Sequence, residues 1–359
     1  MEVSYIFCRC QAYSGVRQED LMSQDNQPLW DDVHEALSVH EQEAETLEAF
    51  EQALARDPNN ARAWTNYADM LSNLEHDEEA LAAYRRAIAL DPRFATAWVN
   101  MSCALTRLQR KAEALQAAEQ ALAIAPNSAP AWNAKGVALL SMQRRREALL
   151  AWRRAVALDP EYIAAWYNIS EAYRWAHHHE QALSAYGRAL ALDPHFAPAL
   201  LGQGETLNAL KRFPEALQAF DRALQIGGQL ARTLQDKGIA LQGLGRIDEA
   251  LDVFDRTLAL ENTDPLSWIS KGSALLQAGR DVEALAAYER AIEIAPGNSY
   301  AWQGKAETLQ RMGRGGEKEA FDAGLRALAL RVAQSKIPLK AFFARLIHHD
   351  VSDAMHLTG

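Results

Sequence analysis

Residues 61–94, ARAWTNYADMLSNLEHDEEALAAYRRAIALDPRF, contain two amphipathic helices and the signal that stops the second. Trp64, Tyr67, Ala68 and Leu71 fall at i, i+3, i+4 and i+7, the apolar stripe of a helix with one buried face. A polar turn runs from Asn73 to Asp77, after which Ala80, Leu81, Tyr84, Ala87 and Ile88 repeat the spacing. Asp91-Pro92 ends the second helix, because proline lacks the amide N–H and disfavours helix in its predecessor. Ala68 and Ala80 are small enough for the two helices to approach closely. One such hairpin cannot bury its own apolar face, so it requires stacked neighbours.

The neighbours are present in the sequence. Tryptophan recurs at Trp30, Trp64, Trp98, Trp132, Trp166, Trp268 and Trp302, at intervals of 34 or multiples of it, and the two missing slots hold Leu200 and Leu234. Pro58, Pro92, Pro126, Pro160, Pro194 and Pro296 keep the same phase. Two alanine series do likewise, one from Ala80 to Ala284 and one from Ala53 to Ala291, with Thr257 the exception in the second. These residues at this period resemble the tetratricopeptide repeat (TPR) family, whose frame is 34 residues long. The frames are 27–60, 61–94, 95–128, 129–162, 163–196, 197–230, 231–264, 265–298 and 299–334. The first is degenerate, with His34 and Thr46 where small residues belong, and the last carries extra residues around Gly315-Gly316. The resemblance implies an all-α fold, a right-handed α-solenoid of about nine helix-turn-helix repeats. The tryptophan series then packs between helices, and truncating one member is expected to cost roughly 3–5 kcal/mol.

Segments outside the frames read differently. Residues 1–26 have no basic leader or sustained apolar core and are expected to be poorly ordered. Residues 337–347 carry a one-sided stripe (Ile337, Leu339, Phe342, Phe343, Leu346, Ile347) opened by Pro338, the pattern of a C-terminal capping helix. The only cysteines are Cys8, Cys10 and Cys103, too few for a disulfide framework, which favours a reducing, cytoplasmic setting. Cys103 reads as a small buried side chain.

Charge and composition exclude several function classes. The 359 residues hold 37 Lys+Arg and 47 Asp+Glu, a formal charge of −10. That balance argues against nucleic acid as a partner. No apolar run reaches the length a membrane helix needs. Repeat 27–60 holds nine acids against Arg56, a surface suited to a basic partner. Residues 93–154 hold ten cations against Glu113, Glu119 and Glu147, which reads as a solvated helix face. No GxSxG, HExxH, Walker loop or dinucleotide fingerprint occurs, so no enzyme activity and no cofactor are expected. His177-His178-His179 occupies an inter-helix turn, where consecutive side chains do not converge on one ion, and no metal site is expected.

Resemblance to TPR proteins implies that the first helix of each repeat lines a concave groove that holds a partner segment. Its face takes the second, fifth, sixth, ninth, twelfth and thirteenth positions of each frame. Asn66, Asn100 and Asn168 stand at the sixth, and an amide there donates and accepts at once, so it can pair with any peptide backbone. The run resembles the asparagine ladder of the O-linked N-acetylglucosamine transferase TPR arm, although Ala134, Gly202, Asp236, Ser270 and Gly304 break it. Tyr167, Glu171, Arg174 and Trp175 complete the candidate face, with Tyr167, Glu171 and Trp175 four residues apart. An aromatic pair of this kind is typical of interface hot spots, whereas packing at the groove rim is the structural alternative for Trp175. In the hot-spot reading, Trp175→Ala leaves melting nearly unchanged and weakens partner binding by about 2 kcal/mol or more. The clamp of Hsp70/Hsp90-type adaptors is not matched, since only Asn100 agrees among Thr65, Asp69, Asn100, Pro130 and Ala134. The expected function is therefore a non-catalytic protein–protein interaction scaffold. A substrate-presenting or regulatory arm of a glycosyltransferase- or kinase-associated system, with its catalytic domain on another chain, is the second reading.

Overall fold

The computed structural model describes residues 41–227, 230–313 and 317–334. Among the described residues every regular element is a helix and no strand occurs. In chain order the helices are α1 Glu41–Arg56, α2 Ala61–Asn73, α3 Asp77–Leu90, α4 Ala95–Arg107, α5 Lys111–Ile124, α6 Ala129–Ser141, α7 Arg145–Leu158, α8 Ile163–Trp175 and α9 His179–Leu192. They continue as α10 Ala197–Ala209, α11 Phe213–Ile226, α12 Leu230–Gly243, α13 Ile247–Leu260, α14 Pro265–Gln277, α15 Asp281–Ile294, α16 Ser299–Met312 and α17 Glu317–Gln334. The all-α solenoid class expected from the sequence is the class observed. The candidate capping helix, Cys8, Cys10, Trp30 and His348-His349 lie outside the described residues.

The chain divides into two compact units, Met1–Gly202 and Gln203–Gly359. In the first, α2, α4, α6 and α8 each pack on the helix that follows, and α3, α5 and α7 also meet the next first helix. In the second unit the same alternation joins α11 to α17. Each contact buries the faces that a lone hairpin leaves open.

One backbone device makes the turn inside the described hairpins from α2–α3 to α14–α15. Glu75, Gln109, Gln143, His177 and Lys211 adopt φ of 64°, 60°, 63°, 58° and 58°, and Gly245 and Gly279 take the equivalent place. The residue that follows donates back to a carbonyl five positions earlier, as His76 does to Leu71 (2.9 Å) and His178 to Tyr173 (2.9 Å). This is the Schellman ending of a helix, which favours glycine at its left-handed residue. An L side chain there costs roughly 1–2 kcal/mol, partly offset by glycine's greater unfolded-state freedom. His177→Gly and Lys211→Gly are each expected to stabilise by about 0.5–1 kcal/mol. Denaturant midpoints measure this; a fall in both would contradict the turn assignment.

A second device fills the core. Trp152, Tyr186, Phe220 and Phe254, at one frame position on successive second helices, are at most 1% exposed. Glycine makes the room. A methyl group at Gly136 would sit 2.6 Å from Trp152 Cδ1, one at Gly204 2.7 Å from Phe220 Cζ, and one at Gly238 2.8 Å from Phe254 Cδ1. The recurrent tryptophans behave differently. Trp64, Trp98, Trp132, Trp166, Trp268 and Trp302 are half-buried, and each indole N–H donates to the backbone carbonyl six residues earlier at 2.9–3.1 Å. In five of the six that carbonyl belongs to the frame's proline, so the pair fastens each first helix to the end of the preceding hairpin. Half-burial lowers the expected cost of truncating one of them below the full-core value, to about 1.5–3 kcal/mol.

Candidate functional site

The seven candidate residues all lie in the first unit, on α2, α4 and α8. Four of them, Asn100, Asn168, Glu171 and Arg174, take part in three polar clusters, two of which join successive hairpins and one of which ties α8 to α9. In the first, Asp69 Oδ1 accepts from Tyr84 Oη (2.5 Å) and from Asn100 Nδ2 (2.8 Å). Burial pushes the Asp69 carboxyl up to about 6, against the opposing hydrogen bonds from Tyr84 and Asn100 and the Arg107 charge. Burial and the Asp69 charge push the Tyr84 phenol well above its ordinary range. In the second cluster, Asn168 Nδ2 donates to Asn133 Oδ1 (2.8 Å), and Trp152 Nε1 donates to the Asn133 carbonyl (3.2 Å). In the third, Arg174 forks onto Glu171 through Nε–Oε1 (3.2 Å) and Nη2–Oε2 (2.5 Å). The Tyr186 hydroxyl donates to the same carboxylate.

These bonds sort the candidates by depth. Asn168 is 0% and Glu171 2% exposed, and Asn100 and Tyr167 are also buried. Tyr167 packs edge-on to Phe196 with ring centroids 5.4 Å apart. Asn66, Arg174 and Trp175 retain partial exposure. In this conformation the Asn100 and Asn168 amides therefore bind the chain itself, and they fix the first helices on which the exposed side chains stand. Trp175, at the end of α8, packs against the cluster that contains Val137, Trp152 and Ile169. Its truncation is accordingly expected to lower the melting temperature as well as expose the rim, unlike the unchanged melting expected from sequence.

Two inter-repeat locks carry signals that single-helix reading does not reveal. Glu119–Lys135 (3.0 Å), Asp221–Lys237 (2.6 Å), Asp255–Lys271 and Glu289–Lys305 (2.8 Å) are ion pairs at a constant separation of sixteen residues. Each runs from a second helix to the first helix after it, and Lys135 and Lys271 also lie over the Trp132 and Trp268 rings at 5.7 and 5.6 Å. The other lock spans thirty residues. Arg107 grips Asp77 and Ser72, while Arg311 binds Asp281 (3.3 Å) and the Leu276 carbonyl (2.7 Å). Phe213 covers Gly243 at the same separation. Arg232 pairs with Glu205. Arg107, Arg174, Arg232 and Arg311 on the first-helix face are thus all paired within the chain.

The other sequence candidates are quieter. In the basic run, Arg110 and Arg144 pair with Glu113 and Glu147, and Arg153 donates to the Tyr173 hydroxyl (2.5 Å). The His177 and His179 rings meet edge to face with centroids 5.8 Å apart. Among the described residues no group of three His, Cys, Asp or Glu side chains gathers as metal ligands. No helix is long and apolar enough to cross a membrane, again among the described residues. Cys103 is buried on α4, as expected.

Comparison with known proteins places the chain. Family profiles described as tetratricopeptide repeat match residues 49–82, 95–128, 163–196, 196–261 and 236–299. No curated protein matches the sequence. Among solved structures, the chain is similar to one in the crystal structure of the APC/C hetero-tetramer Cut9–Hcn1, with a TM-score of 0.60 and 17% identity. That alignment covers 88% of this chain and 62% of the other, so the present chain spans less than two thirds of its length. It is also similar to Pseudomonas aeruginosa PilF, with a TM-score of 0.52 and 21% identity over 59% of this chain and 96% of that one. At these identities the likeness speaks to fold alone. The 34-residue phase, the paired helices and the profile matches together make this chain a member of the tetratricopeptide repeat family.

Proposed function

We propose that the chain is a non-catalytic scaffold that holds an extended segment of a partner protein against the first-helix face of its repeats. The observation that carries this reading is the arrangement on α2 and α8. Asn66, Arg174 and Trp175 stay partly exposed above buried groups (Asn100, Asn168, Tyr167, Glu171) that fix the helices beneath them. A face whose support is rigid and whose outer side chains are amide, guanidinium and indole suits peptide capture, because little conformational freedom is lost on binding. The structural neighbour Cut9–Hcn1 is itself a hetero-tetramer, which agrees with an assembly role. The face is close to neutral where its arginines are paired, so selection there comes from shape and hydrogen bonding rather than net charge. The acids of residues 27–60 add a preference for basic partner residues near the start of the array.

Selection of a random peptide library on the full chain tests the reading. Binders are expected whose affinity falls about 30-fold in Asn66→Ala/Arg174→Ala, equivalent to ~2 kcal/mol. Arg154→Ala/Arg188→Ala, on the second helices α7 and α9, is expected to leave affinity within about twofold. Loss of binding in the second variant and not the first would refute the proposal.

A further inference from the structure

The junction between α2, α3 and α4 contains an incomplete pairing. Asp69 Oδ1 already accepts from Asn100 Nδ2 (2.8 Å) and Tyr84 Oη (2.5 Å). Asp69 Oδ2 and Asn100 Oδ1 are buried, and neither has a hydrogen-bond partner within the chain. Both leftover atoms are acceptors, and they belong to two side chains already joined by one bond. A buried acceptor without a donor is costly, and two together require a donor that an ionised carboxylate does not possess. A neutral carboxyl does possess one.

We propose that Asp69 and Asn100 form a proton-binding pair that links the second and third frames. A proton delivered by solvent hydronium, which leaves as water, binds Asp69 Oδ2, donates to Asn100 Oδ1, closes a two-bond acid–amide ring and neutralises the carboxylate. No other bond changes. The surrounding groups leave this proton as the missing element. On α3, Tyr84 already donates to Oδ1, and Asp77 is held by Arg107. On α4, the Arg107 charge favours the carboxylate, but its guanidinium grips Asp77 and the Ser72 hydroxyl of α2. The carboxyl is correspondingly raised from 3.8 to about 6, with burial the largest cause.

The sign of the linkage follows. The folded chain holds this proton about a hundred-fold more tightly than the unfolded chain, as a shift of about two pH units requires. Its contribution to stability is complete below the unfolded value near 4 and is lost as pH rises through about 6. The junction therefore tightens on mild acidification, opposite to the behaviour of a salt-bridged carboxylate.

Carbon-13 NMR of the full chain tests the pair directly. The Asp69 carboxyl resonance is expected to titrate with a midpoint near 6, and the Asn100 side-chain amide resonances to move with the same midpoint. Asp69→Asn removes the charge and is expected to flatten the fall in melting temperature between pH 5 and 8, with a melting point several degrees above wild type at pH 8. An Asp69 midpoint at or below about 4, or an Asn100 amide that does not follow the Asp69 transition, would overturn the proposal. Parallel melting curves for wild type and Asp69→Asn across that pH range would do the same.

Discussion

Trp152→Ala is expected to destabilise the first unit by about 3–5 kcal/mol. The indole is 1% exposed, its N–H is bonded to the Asn133 carbonyl, and its ring lies over Gly136. Truncation removes the most bulky fully buried side chain among the described residues and leaves a cavity walled by two helices that cannot collapse without breaking the inter-hairpin register. It also removes the indole bond to the Asn133 carbonyl, on the residue whose side chain anchors Asn168. Trp132→Ala is the matched control, because that tryptophan is half-buried, and its loss is expected to be roughly half as large. Urea unfolding with the slope checked for constancy measures both.

Gly136→Val is expected to destabilise by about 2–3 kcal/mol from the opposite cause. The new side chain enters space held by the Trp152 ring, so either the ring leaves its rotamer or α6 and α7 separate. Gly187→Ala supplies the contrast, since that glycine lies on the exposed side of α9 with nothing within 4 Å of an added methyl. Helix propensity alone then decides, and the substitution is expected to stabilise by up to about 1 kcal/mol. The mechanism predicts strong coupling: in a Trp152→Ala background the valine fills a vacancy, and most of its cost disappears. Additive losses in the double variant would show that the glycine is not there to seat the indole.

Fold and site were unequally legible in the sequence. The 34-residue phase of tryptophan, proline and alanine exposes the helix pairs because each residue type answers a local need that recurs at every hairpin. The left-handed turn residue was partly visible: glycine marks it at Gly245 and Gly279, but Glu75, Gln109, Gln143, His177 and Lys211 conceal it. The depth of the candidate site was not visible. Asn168 and Asn66 occupy the same frame position, yet Asn168 has Trp152 and Asn133 beneath it and is wholly buried, whereas Asn66 remains partly exposed. Such differences depend on which residue the preceding hairpin contributes, and a single-helix pattern does not contain that information. The signals that did exist were long-range pairs. Acid and lysine sixteen residues apart, and aspartate and arginine thirty apart, recur often enough to have been read as contacts between neighbouring hairpins.

The face assigned to the partner is the claim on which the functional account rests, and photo-crosslinking locates that face directly. A library-selected peptide carrying a photoreactive residue, irradiated in complex with the full chain and mapped by mass spectrometry, is predicted to label α2, α4, α6 and α8 around Asn66, Arg174 and Trp175. Labelling concentrated on α3, α5, α7 and α9, around Arg86, Arg154 and Arg188, would contradict it.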